Sequence, residues 1–196
     1  MSSRSLTEEI GKCLIHYIES GPGEENDVVL LHGLKFKAET WQELGTLDLL
    51  REKGKHALAL DLPGFGASPE CDNGKDQVLA DFIHTLKLEK PVIVGPSMGG
   101  KLAIEFALSY PDLVGGLVLI GAVGVSEYKV ALPKIEVPTF IVWGDNDTVS
   151  PIENGHILHQ EIKGSSFYIV EDASHPCYLD QPQVWHEQLL DFLEAI

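Results

Sequence analysis

Val92-Ile93-Val94-Gly95-Pro96-Ser97-Met98-Gly99-Gly100-Lys101-Leu102 (VIVGPSMGGKL) runs from an apolar strand pattern into a helical one, and its middle fits two chemistries. Gly95 to Lys101 spells G-x-x-x-x-G-K, most of a phosphate-cradling loop, whereas Gly95 to Gly99 spells G-x-S-x-G, a turn that exposes a nucleophilic serine. A phosphate loop follows its lysine with a Ser or Thr hydroxyl that holds Mg²⁺. Here that position is Leu102, which has no oxygen. The D-x-x-G stretch Asp61-Leu62-Pro63-Gly64 precedes the loop, the reverse of its order in GTP-binding proteins, and no N-K-x-D motif is present. A G-x-G-x-x-G dinucleotide fingerprint cannot be fitted either, because Ser97 stands where its second glycine belongs. What remains is a reactive serine or a purely structural strand-to-helix turn.

Outward from this stretch, short β-branched runs alternate with amphipathic segments, the pattern of a parallel α/β fold. Strands are expected at 13–19, closed by the turn Gly21-Pro22-Gly23, and at 28–31, 56–62, 91–94, 117–120, 139–143 and 167–170. Helices are expected at 39–53 (stopped by Gly54), 77–88, 99–109, 152–162 and 184–195. The near-continuous apolar strands call for a sheet covered by helices on both faces. The 196 residues are read as one domain, 1–196, with 1–12 as a poorly ordered N-terminal segment.

The net charge of −16, from 30 acidic and 14 basic residues with no basic cluster, excludes nucleic acid as the expected partner. Acidity is read as solubility, with attraction of a cationic substrate or protein tail as the sharper alternative. No apolar run reaches the roughly 20 residues of a membrane span, and the polar N-terminus lacks the core of a secretion signal. Cys13, Cys71 and Cys177 are odd in number and widely spaced. They predict neither a disulfide nor a zinc site, and a cytoplasmic or nuclear, reducing setting.

A serine hydroxyl needs a base to take its proton, commonly a histidine oriented by a carboxylate, and behind such a turn they follow in the order Ser, acid, His. His16 and His56 fall in or beside strands; His84, His156, His159 and His186 fall on helical stretches. His156 and His159 could share a helix face, but no third metal ligand accompanies them. His32 lies in an earlier loop, with Gly33 after it. His175, in the loop after the last strand, is the expected base, since such loops gather the reactive groups of α/β sheets. The acid belongs in the loop 144–151, where Asp145 and Asp147 both qualify by position. Oxyanion donors are expected from the backbone N–H of Met98, at a helix N-terminus, and of Leu34, with Gly33 letting its loop turn inward. Gly95 and Gly99 give the turn room. Lys101, if it reaches the mouth, could hold an anionic group. Asp61 is read as a turn anchor and Cys177 as an inert thiol.

The ordered pieces LHG (31–33), DLPGFGAS (61–68), GPSMGG (95–100), WGDND (143–147) and SHP (174–176) resemble the α/β-hydrolase fold. The longer stretches 32–47 and 174–193 resemble the small α/β-hydrolase domain-containing 14 group. The resemblance implies a mostly parallel sheet without a cap domain, because only residues 123–137 separate two strands where other hydrolases insert one. The G-x-x-D of this loop in the family selects Asp147 as acid, leaving Asp145 to shape the turn. Lys35 stands where that group is expected to carry arginine, making it a substrate- or cofactor-binding candidate with Lys101. The implied activity is cleavage or transfer of short acyl groups from esters or acetylated protein lysines, with coenzyme A as an acceptor and no metal or redox cofactor. The alternative is a catalytically weak hydrolase-fold protein that binds another protein. Oligomeric state is not legible in the sequence.

Overall fold

In the computed structural model, which describes residues 3–22 and 27–196, strand residues point alternately to two apolar layers. Val29 and Leu31 join Phe82 and Phe106 on one side, while Val28 and Leu30 join Trp41 and Trp185 on the other. Both faces are covered, so the inner strands are buried throughout and read as continuous apolar runs.

The elements are β1 (Arg4–Ile10), β2 (Cys13–Ser20), β3 (Asp27–Leu30), α1 (Ala38–Glu43), α2 (Thr46–Glu52), β4 (His56–Leu60), α3 (Lys75–Thr85), β5 (Val92–Pro96), α4 (Met98–Ser109), β6 (Gly116–Ile120), α5 (Val125–Tyr128), β7 (Thr139–Gly144), α6 (Ile152–Glu161), β8 (Ser166–Val170), α7 (Cys177–Asp180) and α8 (Pro182–Ala195). The eight-stranded sheet has the order β1-β2-β4-β3-β5-β6-β7-β8. β1–β2 and β2–β4 are antiparallel, and every later pair is parallel. This is the expected mostly parallel sheet with helices on both faces. Between β6 and β7 the chain has room only for α5 and a short 3₁₀ turn, so no cap covers the strand ends.

Three expectations change. The helix expected over 39–53 is two helices, because Gly45 adopts φ +85° and turns the chain between α1 and α2. Residues 4–10, expected to be poorly ordered, pair along their length with β2 as an edge strand. Their apolar content is only Leu6 and Ile10, too thin a pattern to signal a strand. Cys13 and Cys71, expected to be unpaired, form a disulfide with Cα atoms 5.7 Å apart. Their 58-residue separation hides that the fold sets the start of β2 beside the loop before α3, and the cysteine argument for a reducing compartment falls with it. Of the turn Gly21-Pro22-Gly23, the last residue lies outside the described residues.

Candidate active site

β5 delivers Gly95 and Pro96 to the C-terminal edge of the sheet, and Ser97 turns the chain into α4 with φ 53° and ψ −114°. That backbone region is costly for a side-chain-bearing residue and persists only where surrounding bonds hold it. Ser97 N–H donates to Ile120 O at 2.8 Å, while Ser97 O accepts from Lys101 N–H at 3.1 Å and Val123 N–H at 3.3 Å. Glycine is needed around it. A Cβ on Gly95 would strike the Gly99 carbonyl, and one on Gly99 would lie 2.8 Å from His32 O. Pro96 costs no ladder bond: Ser97 N–H points to β6, so its neighbour faces β3, whose pairing with β5 ends at Leu30–Val94.

The loops after β7 and β8 bring two more groups to this turn. His175 Nε2 is 2.8 Å from Ser97 Oγ, and His175 Nδ1 is 2.7 Å from Asp147 Oδ2. The Asp147 carboxylate is fully buried. Its Oδ1 accepts N–H bonds from Val149 and Ser150, both at 2.8 Å, so the acid is fixed by its own loop. A carboxylate only accepts, so Nδ1 donates to Asp147 and Nε2 is left to accept the Ser97 O–H. Asp145 makes no bond to its own turn. It accepts from Ala173 N–H at 3.3 Å and ties the acid loop to the histidine loop. Gly121, at φ +52°, closes the back of the pair: a Cβ there would sit 3.2 Å from both Asp147 Oδ2 and His175 Nδ1. No motif marked Gly121, because its constraint comes from groups far along the chain.

The Leu34 loop lies beside Ser97, since a Cβ on Gly33 would be 3.5 Å from Ser97 Cβ. Among the described residues neither the Leu34 nor the Met98 N–H has an acceptor. Buried His32 braces this loop, donating from Nδ1 to Gly33 O at 2.8 Å and accepting Leu62 N–H at Nε2 at 3.1 Å. Burial holds its pKa below the ordinary histidine value, so it stays neutral. The sequence placed His32 in this loop without this bracing part.

Lys35 is exposed beyond Leu34. Lys101 pairs with Glu127 at 2.7 Å and lies 5.8 Å over the Tyr128 ring, so its charge is already engaged. The Cys177 thiol is pushed up to about 12, by burial first and then by Asp147, which makes it a poor nucleophile. Among the described residues no group of His, Cys, Asp or Glu could hold a metal, and no helix is long and apolar enough to cross a membrane. His156 and His159 flank the Phe167 ring instead.

The sequence model of the alpha/beta hydrolase fold matches residues 27–135. The chain is similar to the "Putative protein-lysine deacylase ABHD14B" of Rattus norvegicus, with 34% identity over 194 residues, 93% of this chain and 91% of that protein. It is similar to "Protein ABHD14A" of Danio rerio, with 38% identity over 179 residues, 86% of this chain and 64% of that protein. A crystal structure described as a predicted CIB-like hydrolase from Thermoplasma acidophilum shares 27% identity and a TM-score of 0.94, with 100% of both chains covered.

Proposed function

The chain belongs to the α/β-hydrolase family, and from that premise we propose that it transfers short acyl groups through Ser97, with His175 as base and Asp147 as the acid that orients it. The observation that carries this reading is the unbroken chain from Ser97 Oγ through His175 to buried Asp147, 2.8 and 2.7 Å, set on a helix N-terminus.

Ser97 Oγ attacks the acyl carbonyl as its proton passes to His175 Nε2. The imidazolium is stabilised by Asp147, which stays ionised. The developing oxyanion takes the N–H groups of Met98 and Leu34, each worth about 3 kcal/mol in the transition state, and the α4 dipole adds to them. His175 then protonates the leaving amine or alkoxide. Water, or a thiol such as coenzyme A, then bonds to the acyl carbon as its proton passes to His175 Nε2, the Ser97 Oγ–acyl bond breaks, and His175 returns that proton to Ser97 Oγ.

Two features favour an acyl group presented by a larger molecule, such as an acetylated protein lysine. No cap encloses the site, and Leu34 and Val149, in the loops flanking it, are 64% and 62% exposed. The name of the rat relative points the same way. Lys101 is the weaker contact for an acyl acceptor's phosphate, because the anion must displace Glu127.

The test is turnover of p-nitrophenyl esters of increasing chain length and of an acetyl-lysine peptide, with and without coenzyme A. The expected result is fastest cleavage of the shortest esters, release from the peptide, and loss of both in Ser97→Ala. Negligible turnover of all substrates, with stoichiometric binding of a protein partner that ignores Ser97→Ala, overturns the enzyme in favour of an interaction module.

A further inference from the structure

A second serine–histidine–aspartate chain lies on the β1–β2 hairpin, at the far edge of the sheet. Ser5 Oγ is 2.8 Å from His16 Nε2, and His16 Nδ1 is 2.8 Å from Asp61 Oδ2. The fully buried Asp61 carboxylate also accepts the N–H groups of Ala38 at 2.7 Å and Ala67 at 2.9 Å. Since it only accepts, His16 donates from Nδ1 and turns its Nε2 lone pair to the Ser5 hydroxyl.

The main chain of His16 is fixed as well. His16 N–H donates to Ser68 Oγ at 2.8 Å, Ser68 O–H donates to Asp61 O at 2.8 Å, and Asp61 N–H donates to His16 O at 3.0 Å. His16 is buried while Ser5 is an exposed residue of the edge strand, so a fixed base meets a serine at the protein surface. Anchoring of the loops by Asp61 needs neither the Ser5 hydroxyl nor its contact with His16.

We propose that Ser5 is a second acylation site, modified by activated acyl esters and acyl thioesters. Ser5 Oγ forms a bond to the acyl carbon as its proton moves to His16 Nε2. The donor's C–O or C–S bond breaks, and the leaving alkoxide or thiolate takes that proton. β1 continues as a regular strand after Ser5, so no helix N-terminus supplies the counterpart of the Met98 amide. Ser5 therefore accepts one acyl group slowly and keeps it as an ester, a stoichiometric mark with no turnover. This site does not depend on Ser97.

The experiment treats the Ser97→Ala protein with p-nitrophenyl acetate and maps acetyl groups by peptide mass spectrometry. Two serines of the same chain serve as references. Ser165 Oγ is 3.0 Å from His159 Nδ1, but among the described residues no carboxylate orients that ring, and exposed Ser126 contacts no imidazole. General-base help is typically worth about 10²-fold or more, so Ser5 is expected to be acetylated about 10²-fold faster than Ser126, and faster than Ser165. Ser5→Ala removes the adduct, and His16→Gln slows it to the reference rate. Acetylation of Ser5 no faster than of Ser126 overturns the proposal, and that comparison within one folded protein decides even if His16→Gln does not fold. Loss of ester turnover in Ser97→Ala without a Ser5 adduct refutes this site alone.

Discussion

Ser97 and Ser5 end hydrogen-bonded chains of almost equal length, 2.8 and 2.7 Å in one and 2.8 and 2.8 Å in the other, yet stand on opposite kinds of backbone. Ser97 occupies a strained turn, φ 53° and ψ −114°, at the start of a twelve-residue helix, with the Leu34 loop alongside. Ser5 sits inside a regular antiparallel pair, opposite Ile18. The imidazole and carboxylate polarise either hydroxyl. On the proposed reading only the first has main-chain donors, the Met98 and Leu34 N–H groups, where an oxyanion forms, and each such donor is worth about 10²–10³ in rate. On these two proposals the chain of side chains governs whether a serine can be acylated, and the backbone beneath it governs whether the acyl group leaves again.

The comparison breaks most sharply at the bases. His175→Ala is expected to lower kcat/KM for p-nitrophenyl acetate by about 10⁴-fold or more; a loss under tenfold would leave Ser97 no better placed than Ser5. Asp61→Asn removes a buried carboxylate that accepts bonds from Ala38, Ala67 and His16. It is expected to cost about 2–4 kcal/mol of stability in urea unfolding, a structural loss, whereas the loss proposed for Asp147 is in rate. Gly121→Ala pushes a methyl between Asp147 and His175. It should lower kcat about 10- to 100-fold with little change in KM, and unchanged kcat would show that the contact is slack.

The fourth effect is on pH. His32 has a folded pKa below its unfolded value of about 6.5. Its neutral form is bound in place at pH above 6.5, and below that the unfolded chain takes up the proton more readily. Stability should therefore fall by up to about 1.4 kcal/mol per pH unit from pH 6.5 down to the folded pKa, read as a dropping urea midpoint. A midpoint flat between pH 7 and 5 would mean that the brace of the Leu34 loop tolerates charge. Smallest of all, Ser5→Ala should leave ester turnover within about twofold, since exposed substitutions away from a site change little.

The parallel strands and the meeting of Ser97 with His175 were legible because each rests on a local signal: a continuous apolar run, a motif, a histidine just past the last strand. Asp147 was not separable from Asp145 by position. They differ in what their oxygens meet, Asp147 binding Val149, Ser150 and His175 and Asp145 binding Ala173. Contacts between distant segments left no such signal. His16 read as a strand residue and Asp61 as a turn anchor, and only the pairing of β2 with β4 shows that they meet across 45 residues. The Cys13–Cys71 pair was hidden for the same reason, and Gly121 carries no mark beyond being a glycine after a strand.

A time course of fluorophosphonate labelling with peptide mapping tests the assignment of Ser97 most directly. A fast, stoichiometric adduct at Ser97 is expected in the native protein, and its replacement in Ser97→Ala by slow labelling at Ser5, at least about 10²-fold slower for want of oxyanion donors. A fast phase that survives Ser97→Ala, or that maps to any other residue, would contradict it.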